Sequence, residues 1–207
     1  MSRFLLKIFA LIIFSSLLIG MPTFAEASQQ EAVFAGGCFW CLEHDLEDLT
    51  GVLSVDSGYS GGDLINPSYD NHQGHQEVVL VRFESNQISY SQLLRSYWRN
   101  VDPLDGQGQF CDRGDSYTPV IFTEGDNQLR EGELSLREAA RELSKPESQL
   151  KVKIEPRNKF WLAEAYHQDF ASKNSLKYKF YRFSCGRDLR LEEIWGAKAG
   201  TDLPWGD

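Results

Sequence analysis

The stretch AVFAGGCFWCLEHDLEDLTG, residues 32–51, leaves the chain few ways to fold. Its apolar start reads as a short buried strand closed by Gly36-Gly37. Phe39, Leu42, Leu46 and Leu49 then recur at spacings of three and four, which predicts a helix over 38–50 ended by Gly51. A cysteine at the first turn of a helix sits where free backbone N–H groups and the macrodipole stabilise negative charge, so Cys38 is expected to ionise readily. Cys41 lies about one turn on, on the same side and within disulfide reach. Phe39 and Trp40 cannot both lie beneath the helix, so at least one should wall the sulfur.

The remaining pattern extends this start into an α/β fold. VLSVDSGY reads as a second strand and HQEVVLVRF as a third, joined by the loop SGGDLINPSYDNHQG. Ser89 and Gln92 form a capping-box signature for the helix YSQLLRSYWRN. The loop VDPLDGQGQFCDRGDSY leads to the strand PVIF, a charged helix over about 126–143, the strand KVKIE and a last helix over roughly 159–173. Through residue 122 the order is β-α-β-β-α-β. The expectation is a single-domain two-layer α/β sandwich with a mixed sheet and a ferredoxin-like split βαβ core. From about Lys177 the chain reads as an irregular tail wrapping the surface.

Residues 1–27 read as a signal peptide rather than as part of the domain, which spans 28–207. Arg3 and Lys7 precede 14 uncharged, mostly apolar residues, short for a membrane span of about 20. Cleavage is expected after Ala25 or Ala27, with an uncleaved anchor as the alternative, which would be the chain's one link to a membrane. Export would place the mature chain in the bacterial periplasm, or outside a cell. A formal charge of −9, with no compact Lys/Arg cluster, excludes an ordinary nucleic-acid surface. All four cysteines, Cys38, Cys41, Cys111 and Cys185, survive cleavage, and the close Cys38–Cys41 spacing favours redox chemistry over stapling.

Other residues are placed to serve such chemistry. Strand alternation puts Glu77 on one face with Val79, Val81 and Phe83, where desolvation would raise its pKa and let it hold a proton near neutrality. Tyr59 and Tyr117 are expected in loops, each presenting a phenolic donor. Cys111 and Asp112 fall in a long glycine-punctuated loop of the kind that is often functional.

At GGCFWC, SGYSGG with NPSYDN, GHQEVV and QFCDRGDSY the chain resembles the A-type peptide-methionine sulfoxide reductases, in order and spacing, from about Ala32 to Trp195. The resemblance implies thiol-dependent reduction of methionine S-sulfoxide, free or in proteins, as a repair of oxidised methionine. By the same resemblance Cys38 is the nucleophile. Glu77 protonates or hydrogen-bonds the sulfoxide oxygen, supported by Tyr59, Tyr117 and Asp112, and Phe39 and Trp40 receive the substrate methyl group. Cys38 becomes a sulfenic acid, a second cysteine condenses with it, and an external dithiol such as a thioredoxin-fold protein reduces the disulfide. No metal or organic cofactor is implied.

Cys41 is the favoured resolving thiol because its approach is local, whereas Cys185 needs the tail to fold over the site. Cys111 reads as a spare or packed thiol. Thr118-Pro119 replaces the Arg-Ser common in the family. Two rival readings fit less well. A thioredoxin-like oxidoreductase shares the CxxC at a helix start, but its fold suits this strand order poorly. A zinc module would use Cys38, Cys41, His72 and His75, yet both histidines lie in a polar loop. His44 and His167 read as surface or packing residues.

Overall fold

The computed structural model describes residues 29–206, so the expected signal segment and its cleavage sites lie outside the described residues. In chain order the elements are β1 (Gln29–Ala35), α1 (Phe39–Glu47), β2 (Val52–Ser60), β3 (Gln76–Glu84) and α2 (Tyr90–Trp98). A small hairpin of β4 (Gly108–Gln109) and β5 (Asp112–Arg113) precedes β6 (Val120–Thr123), α3 (Gly125–Glu142), β7 (Lys153–Pro156) and β8 (Trp161–Leu162). The chain closes with α4 (Phe170–Lys173), α5 (Ser175–Ser184) and α6 (Arg187–Trp195).

The main sheet runs β7-β6-β1-β3-β2-β8. Its neighbours are antiparallel except β6 and β7, which run parallel and make the sheet mixed. The inner order β6-β1-β3-β2 is the ferredoxin-like arrangement expected from β-α-β-β-α-β. One face packs on α1 and α2 through Phe34, Phe39, Leu42, Leu46, Val79, Val81, Tyr97 and Trp98, all fully buried. Each such large apolar side chain contributes about 1.5–3 kcal/mol on burial. The few polar tips among them are satisfied: Tyr97 Oη donates to the Ala35 carbonyl at 2.8 Å and Trp98 Nε1 to Ser135 Oγ at 2.9 Å. The Ser89–Gln92 capping box closes the start of α2 as the sequence predicts.

Two expectations fail in the C-terminal third. The helix foreseen over 159–173 is instead β8, which pairs with β2, a turn, and the four-residue α4. Packing on the sheet edge overrides the local pattern here. Phe160 lies so close to Gly58 of β2 that a Cβ there would meet its ring at 2.4 Å, and Gln168 hydrogen-bonds both backbone groups of Ser57 at 2.9 Å. The tail from Lys177 is helical rather than irregular. Helices α5 and α6 bury Tyr178, Arg187, Leu191 and Trp195 against the domain. Arg182 and Arg187 both reach Asp45 of α1, at 2.6 and 3.5 Å, which docks these helices beside Cys41.

Candidate active site

Cys38 is the N-cap residue of α1 rather than part of its first turn. Gly37 before it takes φ +84°, and a Cβ there would meet Gln109 at 2.7 Å, so only glycine lets the strand turn here. The first free N–H of α1, that of Phe39, donates to Glu77 Oε2 at 3.1 Å. This bond fixes the start of the helix over β3 and brings the thiol and the carboxyl to one small slot. The slot encloses about 50 Å³ and is lined by Cys38, Phe39, Trp40, Tyr69, Glu77, Asp112, Tyr117 and Tyr181. That space is of the order of one water molecule or one methyl group.

Three chain segments deliver the far wall. The β4–β5 hairpin carries Cys111 and Asp112, and its turn residue Phe110 is held at φ +55° under the Arg187 guanidinium, 4.4 Å from the ring centre. Fully buried Gln109 ties this loop down by exchanging hydrogen bonds with both backbone groups of Asp102 at 2.8 Å. The one-turn helix Asp115–Tyr117 presents Tyr117. Tyr181 enters from α5, and its hydroxyl donates to Asp112 Oδ2 at 2.5 Å and also bonds Cys38.

Trp40 lies flat on Phe170 with ring centres 3.7 Å apart, and its Nε1 donates to His167 Nδ1 at 3.0 Å. Phe39, fully buried, packs against the same His167 ring at 4.8 Å. His167 is therefore a buried packing residue, as the sequence suggests, and burial lowers its pKa.

Burial pushes the Glu77 carboxyl up to about 8, against the pull of the Phe39 N–H and with Asp112 and Cys41 adding negative charge nearby. The acid is thus protonated near neutrality, as the alternation of β3 predicts. Burial, with the negative charge of Glu77, also raises Tyr117 and Tyr69, keeping both phenols as donors. The cysteines correct the expectation of an easily ionised Cys38. Burial raises its thiol, while the hydrogen bond with Cys38, aided by Arg187 and Arg182, lowers Cys41 to about 7. The helix start helps less than expected because the sulfur is desolvated and faces Glu77. The two thiols adjoin, and their mutual interaction favours the charge on Cys41 over Cys38.

The structure moves one residue out of the site. Tyr59 lies on β2 rather than in a loop and is fully buried beside Phe39, its hydroxyl donating to Glu164 Oε2 at 3.0 Å, and it does not line the slot. Tyr69, from the NPSY turn and not singled out from the sequence, takes the place foreseen for Tyr59, its backbone N–H held by the same Glu164 at 2.9 Å. Cys185 does not face Cys38 as a free thiol. It is bonded to Cys111, which is neither spare nor merely packed, and Cys38 and Cys41 are the free pair. Of the proposed zinc set, His75 is occupied by Gly62 N–H and the Leu64 carbonyl. Among the described residues the only His, Cys or carboxylate group that converges is Cys111, Asp112 and Cys185, two of them disulfide-bonded.

Two adjoining thiols can give up two electrons while a neutral acid and phenols take charge of a departing oxygen. On this fold, that chemistry defines a thiol-based oxidoreductase. The family profile described as peptide methionine sulfoxide reductase matches residues 30–199. The chain is 48% identical over 179 residues to peptide methionine sulfoxide reductase MsrA 2 of Caulobacter vibrioides, covering 84% of this chain and 90% of that one. It is 43% identical to MsrA of Streptococcus pyogenes, covering 80% and 99%. Among solved structures, reduced Mxr1 of Saccharomyces cerevisiae is similar at 27% identity with a TM-score of 0.65, covering 71% of this chain and 86% of that one. Methionine sulfoxide reductase A of Corynebacterium diphtheriae shares the fold, with a TM-score of 0.67 at 24% identity over 76% of this chain and 78% of that one. The chain belongs to the peptide methionine sulfoxide reductase family, of the A type.

Proposed function

We propose that the protein reduces methionine S-sulfoxide, free or within polypeptides, to methionine at Cys38. A sulfoxide sulfur resists thiol attack until its oxygen is protonated or strongly hydrogen-bonded, so the reaction needs an acid and a sulfur nucleophile in one place. The observation that carries the reading is that Cys38 and the protonated Glu77 line the same methyl-sized slot. Glu77 donates its proton to the sulfoxide oxygen, with Tyr69 and Tyr117 as further donors, and the Cys38 sulfur attacks as its own proton passes back to the Glu77 carboxylate. The substrate methyl group is received against Phe39 and Trp40. Methionine leaves, and Cys38 carries the oxygen as a sulfenic acid. The Cys41 thiol condenses with it, forming the S–S bond and releasing water. Cys41 is suited to this because its sulfur already contacts Cys38.

An external dithiol protein of thioredoxin type closes the cycle by reduction. The apolar segment after Arg3 and Lys7 supports export to a compartment such as the periplasm. Turnover of the two separated sulfoxide epimers by wild type, Cys38→Ser and Cys41→Ser tests the chemistry. Wild type is expected to consume only the S epimer, and consumption of the R epimer overturns that assignment. The mass of the mature chain in a periplasmic fraction tests export.

A further inference from the structure

Taking the reductase reading above as its basis, we infer that Tyr166 selects among polypeptide substrates, its exposed ring receiving an apolar side chain next to the methionine sulfoxide. The slot encloses about 50 Å³, room for the methyl group and little more. The rest of the methionine sulfoxide side chain, its backbone and the residues on either side therefore lie outside, against the rim.

One side of that rim is aromatic and continues outward. Trp40 and Tyr69 line the slot, and each packs against His167, with ring centres 5.6 and 4.7 Å away. Tyr166 packs on the same imidazole at 4.1 Å. His167 is only 1% exposed, whereas Tyr166 keeps 60% of its surface in solvent. Its ring thus extends the methyl-binding wall out to where a neighbouring residue of a bound polypeptide has to pass.

The turn that carries Tyr166 is fastened on several sides. Glu164 holds the Tyr69 N–H and the Tyr59 hydroxyl through its side chain, and its carbonyl accepts from the His167 N–H at 2.9 Å. Buried Glu43 of α1 accepts from the Asp169 N–H at 3.0 Å. A flanking side chain therefore meets a ring that is already in place, and little ordering opposes its binding.

The chemistry of oxidised clients matches such a ring. Methionine is among the residues most often buried in folded proteins, packed with apolar neighbours. Oxidation makes its side chain polar and disrupts that packing, so the segments set free carry apolar residues beside the sulfoxide. The charges of Glu164 and Asp70 fall within electrostatic reach of the Tyr166 hydroxyl, which disfavours an acidic neighbour. An aromatic neighbour gains most from the ring face.

The test measures kcat and KM for three S-sulfoxide peptides blocked at both ends: Gly-MetO-Gly, Phe-MetO-Gly and Gly-MetO-Phe. For wild type, kcat/KM is expected to be about three- to tenfold higher for at least one phenylalanine peptide than for the glycine peptide, with the difference carried by KM. Tyr166→Ser is expected to bring that ratio to about one, and Tyr166→Phe to keep it. A merely structural Tyr166 would slow all three peptides alike and leave the ratio where it was. Wild type that treats the three alike, or a ratio that survives Tyr166→Ser, overturns the inference while leaving the reductase reading intact. Failure of wild type to consume any of the three overturns that reading, and the role of Tyr166 with it.

Discussion

The backbone N–H of Phe39 donates to Glu77 Oε2 at 3.1 Å, so the helix that begins at the catalytic sulfur is fastened to the strand that carries the acid. The bond accepts a cost. A hydrogen bond from an amide favours the ionised carboxylate, yet burial outweighs it and Glu77 remains protonated up to about pH 8.

Glu77→Gln is expected to lower kcat/KM for methionine sulfoxide by about 10²- to 10⁴-fold, the usual range for loss of a general acid. In wild type, kcat/KM should fall as pH rises through about 8, where the proton is lost, and this limb should vanish in the variant. A wild-type profile flat through pH 9 would remove Glu77 from the role of acid.

The same residue links stability to pH. Because its native pKa is raised above the ordinary 4.5, the folded protein holds a proton between about pH 4.5 and 8 that the unfolded chain has released. Stability therefore declines as pH rises through this window, by on the order of 4 kcal/mol for this group. Glu77→Gln should abolish that decline, so urea unfolding at pH 8 is expected to show the less active variant to be the more stable one.

Tyr69→Phe and Tyr59→Phe separate a donor in the slot from a tyrosine in the core. Tyr69→Phe is expected to reduce kcat/KM by about tenfold or more, in keeping with loss of one donor to a developing charge. Tyr59→Phe should leave kcat/KM nearly unchanged and cost about 1 kcal/mol of stability through its lost bond to Glu164. Steady-state kinetics and denaturant titration on both variants check this, and the reverse pattern would return Tyr59 to the site.

Trp40→Phe keeps an aromatic wall but leaves buried His167 Nδ1 without its donor. The expected loss is about 1–3 kcal/mol in unfolding free energy. KM should rise more than kcat falls if the ring's main task is to receive the methyl group.

The core of the fold was readable because its patterns are local. The β1–α1 step, the alternation of β3 and the capping box at Ser89 each specify an element from a few adjacent residues. Glu77 and its raised pKa followed from one period-two pattern. The misplacement of Tyr59 has a similarly local cause: it ends the stretch VLSVDSGY where the strand was expected to open into a loop, but β2 runs on through Ser60 and its hydroxyl bonds Glu164, over a hundred residues away. Tyr69 could have been found in the NPSYDN turn, which was already in view. The tail was misread because its helical signal is carried by tyrosines and a cysteine rather than aliphatic residues. Tyr178, Tyr181 and Cys185 recur at spacings of three and four, and the face is recognisable only once Tyr178 packs on Cys41 and Phe170 and Arg182 and Arg187 reach Asp45. No spacing rule could have paired Cys111 with Cys185 across 74 residues.

Of the eight side chains around the slot, seven come from the chain before Thr118 and only Tyr181 comes from the closing helices. Oxygen removal is thus assembled from α1, β3 and the loops between the strands, while one wall of the slot rides on the closing helices. Whatever loosens the grip of Arg182 on Asp45 would therefore withdraw that wall, and the hydroxyl that meets both Asp112 and the reactive sulfur, in one movement.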